Sequence, residues 1–276
     1  MSRVSVITAT YNNMETLQWV LLGFMRQTYP EFELIISEDG SNDGTRELID
    51  KVKENAPFPI TYLWQEDSGI RKTKALNEGV KHSLADYLIF TDPDCIPHRD
   101  FIKEHVKNSE QEHYLVGRRV RWGPKYSSTL SKEYIASGGY EKFNLRLISF
   151  TMRGDVEYPK RAIKLKYPWM QRWFELPSAS QYLQGCNFSI HKKDLLKVNG
   201  WNEDIKGLGS EDIELDVRLR NAGMKQKSVK NLALTYHIYH TDRKSNFNMD
   251  TTFEELQRTG QFWCENGIVK KATLGQ

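Results

Sequence analysis

The chain has 276 residues, enough for one large α/β domain or two small ones. Hydrophobic residues make up 39% and aromatics 12%, which excludes global disorder. The 39 Lys and Arg nearly balance the 36 Asp and Glu, so no strong basic field marks a nucleic-acid binder.

From the start, "RVSVITATYNN" reads as a buried strand and a polar loop. "METLQWVLLGFMRQ" has helical apolar spacing and is expected to stop near Pro30. "FELIISEDGSNDG" is a second strand, ending in acids and glycine. "TRELIDKVKEN" is an amphipathic helix, "ITYLWQE" a third strand, and "IRKTKALNEGVKHS" a third helix with Ala75, Leu76, Gly79 and Val80 for one face. "DYLIF" is a fourth strand. Strand and helix alternate, which predicts a mainly parallel sheet with helices on both sides. Ligands in such sheets bind beyond the carboxyl ends of the strands.

Past about residue 118 the periodicity weakens, and residues 119–180 are rich in Arg, Lys, Tyr and Trp. "QGCNFSI" reads as a strand and "HKKDLLKVNGW" as a short helix and turn. "GSEDIELDVRLRNAG" is a helix closed by Gly223, "ALTYHIYH" a last strand, and "DTTFEELQRTGQFWCEN" a terminal helix. Without a repeat or low-complexity linker, residues 1–276 are expected to form one unit. Its first half, 1–118, is expected to face a nucleotide, and its second, 119–276, the substrate.

The three cysteines, Cys95, Cys186 and Cys264, are widely spaced and no CxxC occurs. This excludes a disulfide framework or zinc ribbon and fits a cytoplasmic setting. No stretch approaches the run of about 18 apolar residues of a membrane span. The first apolar run is too short for a secretory leader.

Carboxylates gather at the strand ends. In "YLIFTDPDCIP" an apolar run gives way to Asp92 and Asp94 on either side of Pro93. A solvated turn is one reading. A divalent-cation site is the other, since Mg²⁺ and Mn²⁺ prefer oxygen ligands. Glu38 and Asp39 end the second strand, either as an Asx-type turn or as carboxylates for a nucleotide's base or ribose. Neither GxGxxG nor GxxxxGK[ST] is present, so phosphate must be neutralised by a metal and by side chains. Arg71, Lys72 and Lys74 offer such charge.

Ser210 is placed to cap its helix, and Glu214 and Arg218 are spaced to pair. The same helix start presents Asp212 as a candidate general base. "HIYH" sets His237 and His240 three apart. In a straight strand they face opposite sides, so both reach one cation only if the chain turns at Ile238–Tyr239.

Taken in order, "VSVITATYNN", "SEDGSNDGT", "RKTKALNEG", "FTDPDCIP", "GWNEDIKGLGSEDIELDVRLRNAG" and "YHIYH" resemble inverting glycosyltransferases of the GT-A fold, glycosyltransferase family 2. The second half also looks like the carboxyl-terminal region of β-1,4-galactosyltransferases, although Leu208 stands where those carry tryptophan. The resemblance covers residues 3–118 and 184–243. It implies a UDP-sugar donor, Mn²⁺ or Mg²⁺, and a glycan or lipid-linked glycan acceptor. Thr8 and Tyr11 would line the uracil and ribose pocket, Asp39 would contact the uridine, and Arg71 and Lys74 would lie near the diphosphate. Asp92 would bind the ribose or metal shell. Asp94 would ligate the metal, with His237 and His240 completing the site. Glu211 would hold a sugar hydroxyl, and Asp212 would be the base. The "TDRKSN" after the histidines resembles the family's basic tail.

Two other classes are weighed beside this. A sugar-1-phosphate nucleotidyltransferase would carry a glycine-rich loop after the first strand, and "TATYNN" has none. A non-catalytic carbohydrate-binding module would bind glycan without turnover. The basic segment 160–173, with Lys160, Arg161, Lys164, Lys166 and Arg172 among Trp169, Trp173 and Phe174, reads as a solvated surface or as a peripheral contact with anionic lipid.

Overall fold

The computed structural model describes residues 4–142, 144–167, 169–170, 182–205, 209–241 and 250–270. Arg172, Trp173, Phe174, Leu208 and most of the basic tail after His240 lie outside the described residues.

The chain begins β1 (Val4–Thr10), α1 (Met14–Phe24), β2 (Phe32–Glu38), α2 (Thr45–Lys53), β3 (Ile60–Trp64), α3 (Lys72–His82) and β4 (Tyr87–Thr91). It continues through β5 (Cys95–Pro97), α4 (Phe101–Asn108), β6 (His113–Val116), β7 (Arg119–Trp122), α5 (Pro124–Ser127), α6 (Lys132–Ala136), α7 (Leu145–Met152) and β8 (Val156–Glu157). Then come β9 (Phe188–His191), α8 (Lys192–Lys197), α9 (Glu211–Asn221), β10 (Lys225–Ser228), β11 (Thr235–His237) and α10 (Asp250–Thr259).

The large sheet has the order β10-β6-β9-β4-β1-β2-β3. Its pairings are parallel except those of β9, which runs antiparallel to β4 and β6. Both faces are covered, so β1, β2 and β4 are buried along their whole length without alternation. Val6, Leu34, Ile36 and Ile89 face one core, with Leu17, Val20, Leu21 and Phe24 of α1. Ile7, Ile35, Leu88 and Phe90 face the other, with α3 and α9. The expected face of α3 is buried there, and Gly79 lets it sit close: an added Cβ would lie 2.6 Å from Ile7 Cγ2.

Several sequence expectations need correction. Helix α1 ends at Phe24, well before Pro30. The Gln27 amide donates to His98 O and the Thr28 N–H to Arg99 O, so bonds to the 98–99 turn replace another helical turn. "QGCN" forms a 3₁₀ turn over Gly185–Asn187, and the strand starts only at Phe188. Residues 119–180 and "ALTYHIYH" contribute to a second sheet, β5-β11-β7-β8, whose strands of two to four residues are too short to print a period. In β7, Val120 and Trp122 point into the core while Arg119 and Arg121 take the other face. Ser210 precedes α9 but makes no capping bond.

The Glu214–Arg218 pair forms as expected and anchors α9. Both side chains are fully buried, with two N–O distances of 2.7 Å. The guanidinium also donates to Val198 O and Gly200 O, so four of its five N–H groups are bonded and α9 is bolted to the turn after α8. Gly223 follows the helix in the left-handed region, φ 82°, which a glycine adopts without strain. Removing one partner of a buried pair strands the other's charge. Arg218→Ala should therefore lose about 3–5 kcal/mol in urea denaturation. A loss below about 1 kcal/mol would show that the pair contributes little.

Candidate active site

A cleft of about 330 Å³ opens at the carboxyl ends of β1, β2 and β4. It is bounded by the loop after β1, Asp39, the start of α3, the Asp92–Asp94 turn, β7, the start of α9 and the end of β11. Five carboxylates line it (Asp39, Asp92, Asp94, Glu211 and Asp212), against Lys72, Arg119 and Arg121 as fixed cations.

Lys72 is the central cation. Its Nζ lies 3.2 Å from Asp92 Oδ1 and 3.1 Å from Glu211 Oε1. Burial opposes its charge, but Asp92, Glu211 and Asp212 outweigh burial and raise its pKa well above the ordinary lysine value. The other Asp92 oxygen faces Arg119 Nη1 at 3.6 Å. Glu211 Oε2 accepts from the Gly209 N–H at 2.5 Å.

Asp212 Oδ2 accepts from the Gly185 N–H at 2.7 Å, while Oδ1 is buried with no partner. Glycine is required opposite it, because a Cβ at residue 185 would come within 2.6 Å of Oδ1. Burial and the neighbouring Glu211 push the Asp212 pKa up to about 7, against the pull of Lys72. A carboxyl group with one free oxygen and such a pKa is suited to exchanging a proton near neutrality.

Asp94, His237 and His240 form the second cluster, with ligand atoms all within 4.8 Å of one another. β11 stops at His237, so the two histidines are not held on opposite faces of a strand. His237 Nε2 lies 3.6 Å and His240 Nε2 2.9 Å from the same oxygen, Asp94 Oδ2. His240 Nδ1 contacts Thr241 O, which leaves Nε2 for the cluster. Burial brings the His237 pKa down to about 4, so its ring is neutral at physiological pH, the form that ligates metals. Burial would raise Asp94, but its bond to His240 and its electrostatic interaction with both histidines hold it well below the carboxylate range. One carboxylate and two imidazoles are a fitting donor set for Mn²⁺ and related cations.

The sequence-predicted residues divide. Tyr11, Asp39, Asp92, Asp94, Glu211, Asp212, His237 and His240 line one cleft. Tyr11 donates to Asp67 Oδ2, and Asp39 accepts from Gln65 and the Arg71 N–H. Arg71 pairs with Asp39 at 3.3 Å, behind the cleft wall. Thr8 is buried in β1 and does not line the cleft; Ala9 and Thr10 do. Lys74 does not line it either. Two residues before Lys74, at the helix start, Lys72 occupies the place between the acids. Glu38 turns into the sheet and bonds Tyr62. Arg119 and Arg121 were missed; their alternation with Val120 and Trp122 in "RVRW" was the available signal.

The model of the family described as "Glycosyl transferase family 2" matches residues 5–195, more than half of the sequence. The chain belongs to this family. A model described as "N-terminal domain of galactosyltransferase" matches residues 171–241. Among curated proteins, uncharacterized glycosyltransferase YfnE of Bacillus subtilis is 25% identical over 266 residues, 88% of this chain and 67% of its own length. Validoxylamine A glucosyltransferase of Streptomyces hygroscopicus is 26% identical, over 80% of this chain and 52% of its own. The poly-beta-1,6-N-acetyl-D-glucosamine synthase of Staphylococcus aureus is 40% identical, over 43% of this chain and 29% of its own. The chain thus spans from under a third to two thirds of these relatives. Among solved structures, S. aureus TarS 1-349 in complex with UDP-GlcNAc superimposes with TM-score 0.61 at 15% identity, over 94% of this chain and 65% of that one. A mannosyltransferase from Pyrobaculum calidifontis in complex with GDP-Man and Mn²⁺ gives 0.58 at 16%, over 87% and 57%. These likenesses show a shared GT-A fold.

The cluster geometry generates a direct test. In Mn²⁺ titrations followed by electron paramagnetic resonance, His237→Ala and His240→Ala should each weaken binding by roughly tenfold or more. Parent-like titration of both variants would make them packing residues.

Proposed function

We propose that the chain moves a sugar from a UDP-sugar to a hydroxyl of a glycan or lipid-linked glycan acceptor, inverting the anomeric centre, in the assembly of a surface polysaccharide. The supporting observation is that Asp212, with its free oxygen, shares one cleft with the Asp94–His237–His240 cluster. Family membership supports a nucleotide-sugar donor, and the structural neighbour solved with UDP-GlcNAc is the reason for choosing a UDP-sugar.

In this reading Tyr11 and Asp39 hold the nucleoside end of the donor. Asp94, His237 and His240 would hold a divalent cation, which would supply positive charge to the diphosphate. Lys72 fixes Asp92 and Glu211 in place, and Arg119 and Arg121 add charge where the leaving group becomes more negative. Glu211 orients a sugar hydroxyl. The acceptor oxygen forms its bond to the anomeric carbon while the bond from that carbon to the diphosphate oxygen breaks. The acceptor proton passes to Asp212, and UDP leaves. A single displacement at that carbon inverts it. No glycine-rich loop follows β1, so nothing favours nucleotidyl transfer.

Release of UDP on mixing the chain with Mn²⁺, UDP-sugars and glycan acceptors tests the reading. Saturable glycan binding with no UDP release from any donor would instead support a binding module. Asp212→Asn should keep the fold and UDP binding and lose roughly two to four orders of magnitude in turnover. Near-normal turnover would remove Asp212 as base.

The base must be ionised to accept a proton, so turnover should rise with pH and level off above about 7. Lys72 holds the Asp212 value down. Lys72→Met should therefore shift this limb to higher pH, and an unmoved limb would detach Lys72 from the base.

A further inference from the structure

Among the described residues, one group of exposed apolar side chains lies on a helix that does not line the cleft. Helix α7 buries Leu147 against the core and exposes Leu145, Ile148 and Met152, spaced three and four apart on one face. Leu145 and Met152 are each 83% exposed. Beside them, Ile148, Thr151, Met152, Pro159, Lys160 and Ile163 line an apolar groove of about 180 Å³. A helix with one face packed on its own core and a second apolar face in water has an unfilled contact.

Charge identifies the occupant. Residues 142–167 carry seven basic and two acidic side chains, although the formal net charge of the whole chain is only +3. Lys142, Arg153, Lys160 and Lys166 are exposed, and none pairs with a carboxylate among the described residues. The basic segment singled out from sequence, 160–173, is in part turned inward. Lys164 binds Glu104 Oε1 and Leu232 O, and Arg161 stacks on Tyr158 and donates to Arg119 O. The surface that combines exposed apolar side chains with unpaired basic charge is instead centred on α7 and the groove behind it.

We propose that α7 and its groove dock on an anionic bilayer, Leu145, Ile148 and Met152 entering the headgroup boundary while Arg153, Lys160 and Lys166 meet lipid phosphates. Immediately after α7, Gly154 and Asp155 line a polar cavity of about 260 Å³ that it shares with His237 and His240. Docking thus sets an opening beside the metal-ligand cluster close to the membrane. A lipid-linked acceptor is delivered there from the bilayer rather than from solution. That acceptor route rests on the transfer reading above; the docking itself does not.

Co-sedimentation of the full chain with phosphatidylcholine vesicles, with and without phosphatidylglycerol, tests the proposal. The chain should bind only the anionic vesicles at low salt and be released by added salt. Ile148→Asp with Met152→Asp should cut the bound fraction at least about fivefold. Arg153→Glu with Lys160→Glu should reduce it too, while Met152→Leu keeps it. All these side chains are exposed, so circular dichroism and UDP release with a water-soluble acceptor should be unchanged. Absence of binding, or binding undiminished in the aspartate variant, overturns the proposal. So does a dimer in sedimentation velocity that dissociates in that variant, which would make the face a contact between copies. If UDP release fails while vesicle binding follows the expected pattern, docking stands and the transfer reading falls.

Discussion

One ammonium group holds the cleft together. Lys72 comes from α3, Asp92 from the end of β4 and Glu211 from the start of α9, and its Nζ lies within 3.2 Å of both carboxylates. Without that cation, Asp92, Glu211 and Asp212 would place three negative charges in a confined, largely dry space. Like charges at such range raise one another's pKa values or drive the side chains apart. The lysine holds Asp92 and Glu211 in register, while Asp212, the next residue of the same helix, remains close to its titration point.

The two sheets divide the work around this centre. The large sheet brings Asp39 and Asp92 to its carboxyl edge, as crossover connections require. The small sheet carries Arg119 and Arg121 on β7 and ends β11 at His237. β5 pairs antiparallel with β11, matching Cys95 with His237, so the ladder holds His237 and sets Asp94, the residue before β5, beside it, while His240 follows three residues later, past the strand end. The Ile238 N–H closes that ladder onto Asp94 O at 2.9 Å. Two of the three ligand positions are thereby anchored at the end of a strand pair, which pre-positions them.

The first half of the chain was legible because its strands are buried on both faces and its helices are amphipathic, signals that need only local sequence. The acids at the strand ends were legible for the same reason: a change from apolar to charged marks where a strand leaves the core. What failed depended on distant partners. Lys72, not Lys74, enters the cleft because of how α3 is rotated against Ile7, and that follows from the close approach at Gly79. Arg119 meets Asp92 only through a sheet of very short strands. The Ser210 hydroxyl does not cap α9, and Glu211 reaches back to the Gly209 N–H instead. The turn after His237 was correctly named as the condition for both histidines to converge, but the sequence alone did not decide it.

The antiparallel β9 also governs how the polypeptide assembles during synthesis. β4 and β6 are successive strands of the large sheet in chain order yet do not pair, and β9 lies between them. Roughly 70 residues separate β6 from that partner. Until they emerge from the ribosome, Tyr87–Thr91 of β4 is an open sheet edge made almost entirely of core side chains. Such an edge is a template for pairing with other nascent chains. The first four strands are thus complete early and vulnerable for longest, and the part of the molecule most in need of a chaperone is the very part whose sequence is easiest to read.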